Sequence, residues 1–282
     1  MIEPALANRT GAADETHSVI IRNATRIFPP PQPGGRAVHA LGPVDLNLVR
    51  GEFFSVIGPS GCGKSTLLEI VAGLNATTEG EVWFDGNQIR GEVPPGIGIV
   101  FQEDACFPWL SVRDNISFGL RRTSLDKAEI DKRVEDALAL TGLGDFADAF
   151  PAQLSGGMRQ RVCIARTLVL RPSLILLDEP FGALDQQTRL LMGDELLNLW
   201  RASNATVMLI THSLDEAAML SDRVGIMSAR PGRILEIVET GWAKDRDSRV
   251  ASSEKFGQLT ARLWSVLREQ SKLALGQGVR HP

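Results

Sequence analysis

Apolar residues along this chain fall into short unbroken runs and longer periodic ones, and the two patterns predict different elements. Residues 53–57 form an apolar run of the kind buried on both faces in a parallel sheet. The run ends in a glycine-rich turn, after which residues 66–74 place apolar side chains at helical spacing. Residues 174–177 and 206–210 repeat the strand pattern, and each is followed by polar residues that could do chemistry. In open α/β sheets ligands bind outside those strand ends.

The flanking regions read differently. Residues 19–21 and 44–49 are short β-type runs on either side of the Pro/Gly-rich stretch 28–35, which predicts antiparallel strands joined by a long turn. A strand over 97–101 leads into a region, 103–143, that turns helical, with charged and apolar residues alternating at helix spacing over 126–140. This predicts a separate helical lobe covering 103–165. Past a strand at 224–227 and the turn Arg230-Pro231-Gly232, spacings of three and four between Phe256, Leu259, Leu263 and Val266 predict an amphipathic helix packed on the body. Residues 1–18 lack apolar periodicity and are expected to form a mobile tail. The expected organisation is a tail at 1–18, one α/β domain over 19–238 and a helical extension over 239–282.

Composition narrows the class. With 282 residues, 43% hydrophobic and 23% charged, the chain can bury one substantial core. A net charge of −4 gives no electrostatic footprint for nucleic acid, which is excluded as an expected partner. Cys62, Cys106 and Cys163 are odd in number and far apart, and without a Cys/His cluster for zinc they read as reduced thiols of a cytosolic protein. No stretch approaches the ~20 apolar residues of a membrane helix. The most apolar region, 168–177, is broken by Arg171 and Pro172. Glu3, Asp14 and Glu15 occupy an N-terminus with no apolar core of the signal-peptide kind. The expectation is a cytoplasmic protein that meets a membrane through partners.

The candidate chemistry is a nucleotide site. Gly58-Pro59-Ser60-Gly61-Cys62-Gly63-Lys64-Ser65-Thr66 satisfies G-x-x-x-x-G-K-[ST], where glycines let backbone N–H groups curl around phosphate oxygens at a helix start. Lys64 is then placed for the β- and γ-phosphates of ATP and Ser65 for Mg²⁺. Asp178 and Glu179, at the mouth of the 174–177 strand, suit the magnesium shell and the polarisation of an attacking water. His212, just past the 206–210 strand, aims at the same crevice and could bond the γ-phosphate.

A second glycine-rich helix start, Leu154-Ser155-Gly156-Gly157-Met158-Arg159-Gln160-Arg161, is more than one active site needs. Together with the motifs above it resembles the signature of the ABC ATPases, with Met158 where many members have Gln. The resemblance spans about 19–238. It implies a P-loop NTPase core with mixed sheet, an antiparallel β subdomain and an inserted helical subdomain. It also implies that Ser155, Gly156 and Gly157 cap the ATP held by the opposite subunit of a homodimer. Gln102 matches the family's glutamine loop, which senses magnesium and the attacking water. Gly182-Ala183-Leu184-Asp185 looks like the loop through which subunits touch. With no tyrosine in the chain, Phe28 is the candidate for stacking on adenine.

Phe107-Pro108-Trp109-Leu110, Asp114-Asn115-Ile116, Glu179-Pro180-Phe181-Gly182-Ala183-Leu184-Asp185 and Arg230-Pro231-Gly232-Arg233-Ile234 are most similar to importer subunits for nitrate, sulfonates, taurine and similar compounds. That likeness implies an integral membrane permease as partner, an extracytoplasmic substrate-binding protein in the complex, and a place on the cytoplasmic face of the inner membrane. Phe107, Pro108 and Trp109 either grip the permease or pack the lobe. The short tail after Val238 leaves little room for a regulatory domain. An exporter subunit and a soluble ABC ATPase outside transport are the rival readings.

Overall fold

The computed structural model describes residues 16–30, 32, 34–102, 105–182 and 184–278. Most of the expected tail, and Ala183 of the expected subunit-contact loop, lie outside the described residues.

The centre is a six-stranded sheet. β3 (Phe53–Ile57) lies between β8 (Thr206–Ile210) and β9 (Arg223–Met227), followed outward by β7 (Leu174–Asp178) and β6 (Ile97–Val100) on one side and β10 (Ile234–Glu239) on the other. All neighbours run parallel except β10, which is antiparallel to β9. Both faces of β3 are covered, which explains why apolar residues hold four of its five positions. Phe53 and Ile57 pack with Trp200 and Leu197 in one core, and Phe54 and Val56 pack with Leu67 and Leu68 in another. The rings of Phe53 and Trp200 meet edge to face at 5.7 Å. Ser55, the polar member of the run, bonds Ser221 Oγ at 2.5 Å.

The second sheet is antiparallel, in the order β2 (Val38–Val49), β1 (His17–Phe28), β4 (Glu79–Phe84), β5 (Asn87–Ile89). Its first two strands run to twelve residues each, much longer than the apolar runs that announced them, and β1 takes in His17 and Ser18. Helix α1 (Lys64–Val71) fills the space between the sheets.

The helical lobe consists of α2 (Val112–Ser117), α3 (Lys127–Leu140) and α4 (Gly156–Leu168), around a core of its own that includes Val112, Ile116, Val134, Leu138 and Val162. Ser111, Asp126 and Ser155 cap the three helices, each accepting a backbone N–H from the first turn. α4 also joins the lobe to the sheet, with Thr167 Oγ1 donating to Ile99 O at 3.2 Å.

Beyond β7 come α5 (Gln186–Ser203) and α6 (Leu214–Leu220), and the last element among the described residues is α7 (Glu254–Gly278). Phe256, Leu259, Leu263 and Leu267 form the buried stripe of α7. The last position is Leu267 and not the expected Val266, which is only partly covered. Arg246 locks the connection to α7 in place, donating to Leu220 O and to Asp222 Oδ1 at 2.8 Å, while Asp222 Oδ2 accepts the N–H of Phe53. Among the described residues no helix is long and apolar enough to cross a membrane.

Candidate nucleotide site

β3 feeds its last residue into the loop 58–63, and α1 begins at Lys64. Gly63 stands at φ 111°, and a Cβ there would come within 2.6 Å of Ala40 O, so no other residue fits between the loop and β2. Lys64 is curled into the loop, its Nζ donating to Gly58 O at 2.9 Å and Pro59 O at 3.2 Å. Two carbonyls thereby hold the ammonium where an anionic ligand would compete for it. The loop borders a cavity of about 540 Å³ lined by Ala40, Ser60, Gly61, Gly63, Lys64, Ser65, Thr66, Gln102, Glu179, His212 and Arg230.

The parallel sheet delivers the acids. β7 ends at Asp178, whose Oδ1 is buried without a hydrogen-bond partner. Burial pushes the Asp178 carboxyl up from its ordinary range, and a hydrogen bond from the Ser65 hydroxyl pulls partly the other way. Glu179 follows in the left-handed region at φ 46°, a position that costs a non-glycine residue on the order of 1 kcal/mol and is held here by its N–H bond to Ile210 O at 2.8 Å. Its Oε2 takes two contacts, from His212 Nδ1 at 3.0 Å and from Gln102 Nε2 at 3.3 Å. Three strand ends, β6, β7 and β8, therefore converge on one carboxylate oxygen.

Behind His212 a buried chain of polar groups leads away from the cavity. Thr211 Oγ1 donates to Glu216 Oε2 at 2.5 Å, and Glu216 Oε1 faces Arg189 Nε at 3.3 Å. Arg189 Nη2 in turn donates to Leu184 O at 3.0 Å. Burial pushes the Glu216 carboxyl up, against the Thr211 bond and the Arg189 charge that pull it down.

Most of the residues expected from the motifs meet here. Ser60, Gly61, Gly63, Lys64, Ser65, Thr66, Gln102, Glu179 and His212 line the cavity, Asp178 adjoins it, and Gly58 and Pro59 hold the lysine. Cys62 is buried beneath the loop, and burial pushes its thiol up. Phe28 is not among the lining residues; it pairs with Val38 at the end of β1, and the Arg26 guanidinium covers its ring at 4.6 Å. Ser155, Gly156 and Gly157 are also outside the lining. Ser155 Oγ accepts Met158 N–H at 3.3 Å, and a Cβ on Gly157 would meet Leu184 Cδ2 at 2.9 Å.

Arg230 was not expected in the site. Its Nε and Nη2 donate to Gly61 O at 3.1 and 2.9 Å, bracing the 58–63 loop from the β9–β10 turn. Gly232 makes that approach possible, since a Cβ there would fall 2.2 Å from Cys62 O. The only signal in the sequence was a cation inside a motif that reads as a turn.

The chain is similar to known proteins along most of its length. The ABC transporter family profile matches residues 41–182. The chain is 44% identical over 252 residues to an uncharacterized ABC transporter ATP-binding protein of Methanocaldococcus jannaschii, covering 89% of this chain and 91% of that one. It is 48% identical over 248 residues to a taurine import ATP-binding protein of Roseobacter denitrificans, covering 86% and 92%. Among solved structures, it is similar to a dimeric ATP-binding cassette in a post-hydrolysis state bound to ADP and Pi, at a TM-score of 0.70 and 33% identity, over 80% of this chain and 100% of that one.

Proposed function

The chain belongs to the ABC transporter family, and from that premise we propose that it powers an importer for a small compound such as nitrate, a sulfonate or taurine. It is an ATP-binding and ATP-hydrolysing protein of that family. The importer reading is supported by the likeness to taurine import proteins along most of both chains.

The observation that carries the mechanism is the separation of the two glycine-rich helix starts. The first borders the cavity, while Ser155, Gly156 and Gly157 of the second do not reach it in the same chain. Both are anion-binding ends of helices. In a homodimer each would close over the nucleotide held by its partner, so that binding two ATP draws the subunits together and hydrolysis releases them.

Within one cavity the residues divide the work. Lys64 exchanges the carbonyls of Gly58 and Pro59 for phosphate oxygens, and Arg230 keeps the loop in shape as it does so. The oxygen-only set of Asp178, Ser65 and Gln102 fits Mg²⁺, and the buried, unpartnered Oδ1 of Asp178 is the atom that lacks a ligand. Bound with the nucleotide, the ion neutralises phosphate charge. Glu179 orients the attacking water and accepts its proton, held in line by its strained backbone and by Gln102 and His212. His212 contacts Glu179 through Nδ1, and contact with the γ-phosphate would fall to its other ring nitrogen, which donates only when both ring nitrogens carry protons.

The work is done on other proteins. Trp109 is 70% exposed on the lobe beside Phe107 and Phe118, an aromatic surface suited to an integral membrane permease. An extracytoplasmic substrate-binding protein completes the complex, and the chain works at the cytoplasmic face of the inner membrane. The test is to tag the chain, purify it gently from detergent-solubilised membranes of its host and identify what accompanies it by mass spectrometry. A polytopic permease in matching amount is expected. Recovery from the soluble fraction alone, with ribosomal or DNA-repair proteins, would overturn the transport reading.

A further inference from the structure

Cys106 and Cys163 are 57 positions apart in sequence, yet their sulfurs lie 3.5 Å from each other. Cys106 is half-buried in the segment that follows Gln102, and Cys163 is buried in the middle of α4, the helix whose first turn carries the signature glycines. The segment is already clamped to that helix: Cys106 Sγ donates to Arg159 O at 3.3 Å, Arg166 Nη1 donates to Ala105 O at 2.8 Å, and the Arg166 guanidinium covers the Phe107 ring at 4.8 Å. Arg166 Nη2 also lies 3.9 Å from Cys163 Sγ, a fixed positive charge beside the sulfur.

We propose that Cys106 and Cys163 form an oxidisable dithiol whose conversion to an intrachain disulfide ties the glutamine-loop segment to the signature helix and slows ATP turnover. The oxidant is a peroxide. Cys106, the more accessible thiol, attacks the peroxide O–O bond as its thiolate and becomes a sulfenic acid, releasing one water. Cys163 then attacks that sulfur, the S–O bond breaks, and a second water leaves with the remaining proton. Two thiols and one H₂O₂ give one disulfide and two waters. A disulfide needs sulfurs about 2.05 Å apart, so the pair must close by about 1.5 Å from its present contact. Closing it removes the Cys106 bond to Arg159 and fixes the segment downstream of Gln102 against α4. Gln102 must shift between its bond to Glu179 and the nucleotide, and Ser155 must seat on a partner, so a rigid link between the two opposes both. Cys62 serves as an internal control, since it is buried under the phosphate loop in a different hydrophobic core from Cys163.

The experiment uses the purified full chain, reduced and then exposed to hydrogen peroxide, with thiols blocked before digestion. The expected product is a peptide pair joined through Cys106 and Cys163, with loss of most of the ATP turnover and its recovery on adding dithiothreitol. Cys106→Ser and Cys163→Ser should each turn over ATP normally before oxidation and lose neither activity nor thiols to a cross-link after it. Sulfinic acid at Cys106 without the joined peptides, or an equal loss of turnover in Cys106→Ser, would overturn the proposal. The joined peptide is read by mass alone and so tests the site independently of the transport reading.

Discussion

Replacing Glu179 with glutamine isolates a single chemical property of the site. The side chain keeps its length and remains an acceptor, so its contacts with His212 Nδ1 and Gln102 Nε2 can persist in part. The negative charge and the capacity to take a proton from water are lost. A positioned general base contributes about 10²–10⁴-fold to a rate, which corresponds to about 2.7–5.4 kcal/mol of barrier. Lys64, the loop N–H groups and Arg230 are untouched, so nucleotide affinity should stay within about threefold of the parent. Glu179→Gln should therefore release phosphate at least about 10²-fold more slowly while still binding ATP. Under the proposed cycle, in which ATP closes the dimer and hydrolysis reopens it, the variant should also accumulate as an ATP-dependent dimer. Phosphate release under saturating ATP and size-exclusion chromatography with and without ATP measure the two effects. Turnover within about threefold of the parent, in a folded protein, would show that the carboxylate is not the base.

Three further outcomes follow from the geometry. Asp178→Asn should raise the melting temperature of the nucleotide-free protein at neutral pH. Burial raises the folded-state carboxyl, so the folded state holds the proton longer and the parent loses stability as pH climbs from the unfolded carboxyl's range through the folded one; each kcal/mol recovered is worth about 2–4 °C, and a lower melting temperature would refute the reading. Ser155→Arg should leave ATP binding by the monomer near normal and abolish the ATP-dependent dimer on gel filtration; a surviving dimer would place the signature elsewhere. Leu263→Ala should cost about 2–5 kcal/mol, because the side chain is fully buried between α7 and the core, and a denaturant titration with an unchanged midpoint would show that α7 contributes little.

Local chemistry made much of the site legible in the sequence. The phosphate loop, the two acids after an apolar strand, and Gln102 and His212 after two others each depend on a short run of residue types that few other structures demand. The order of those motifs was enough to anticipate the family, the mixed sheet and the helical lobe. The half-exposed strands β4, β5 and β10 went unread, since their burial alternates or is partial and leaves no apolar run. Only the folded chain could bring Arg230 to Gly61, cover the Phe28 ring with Arg26 or choose Leu267 over Val266 for the buried stripe. The same holds for Cys106 and Cys163. Residue type and spacing determine what a short segment can do, whereas which distant side chains share a space is decided by strand order and by the packing of the lobe against the sheet.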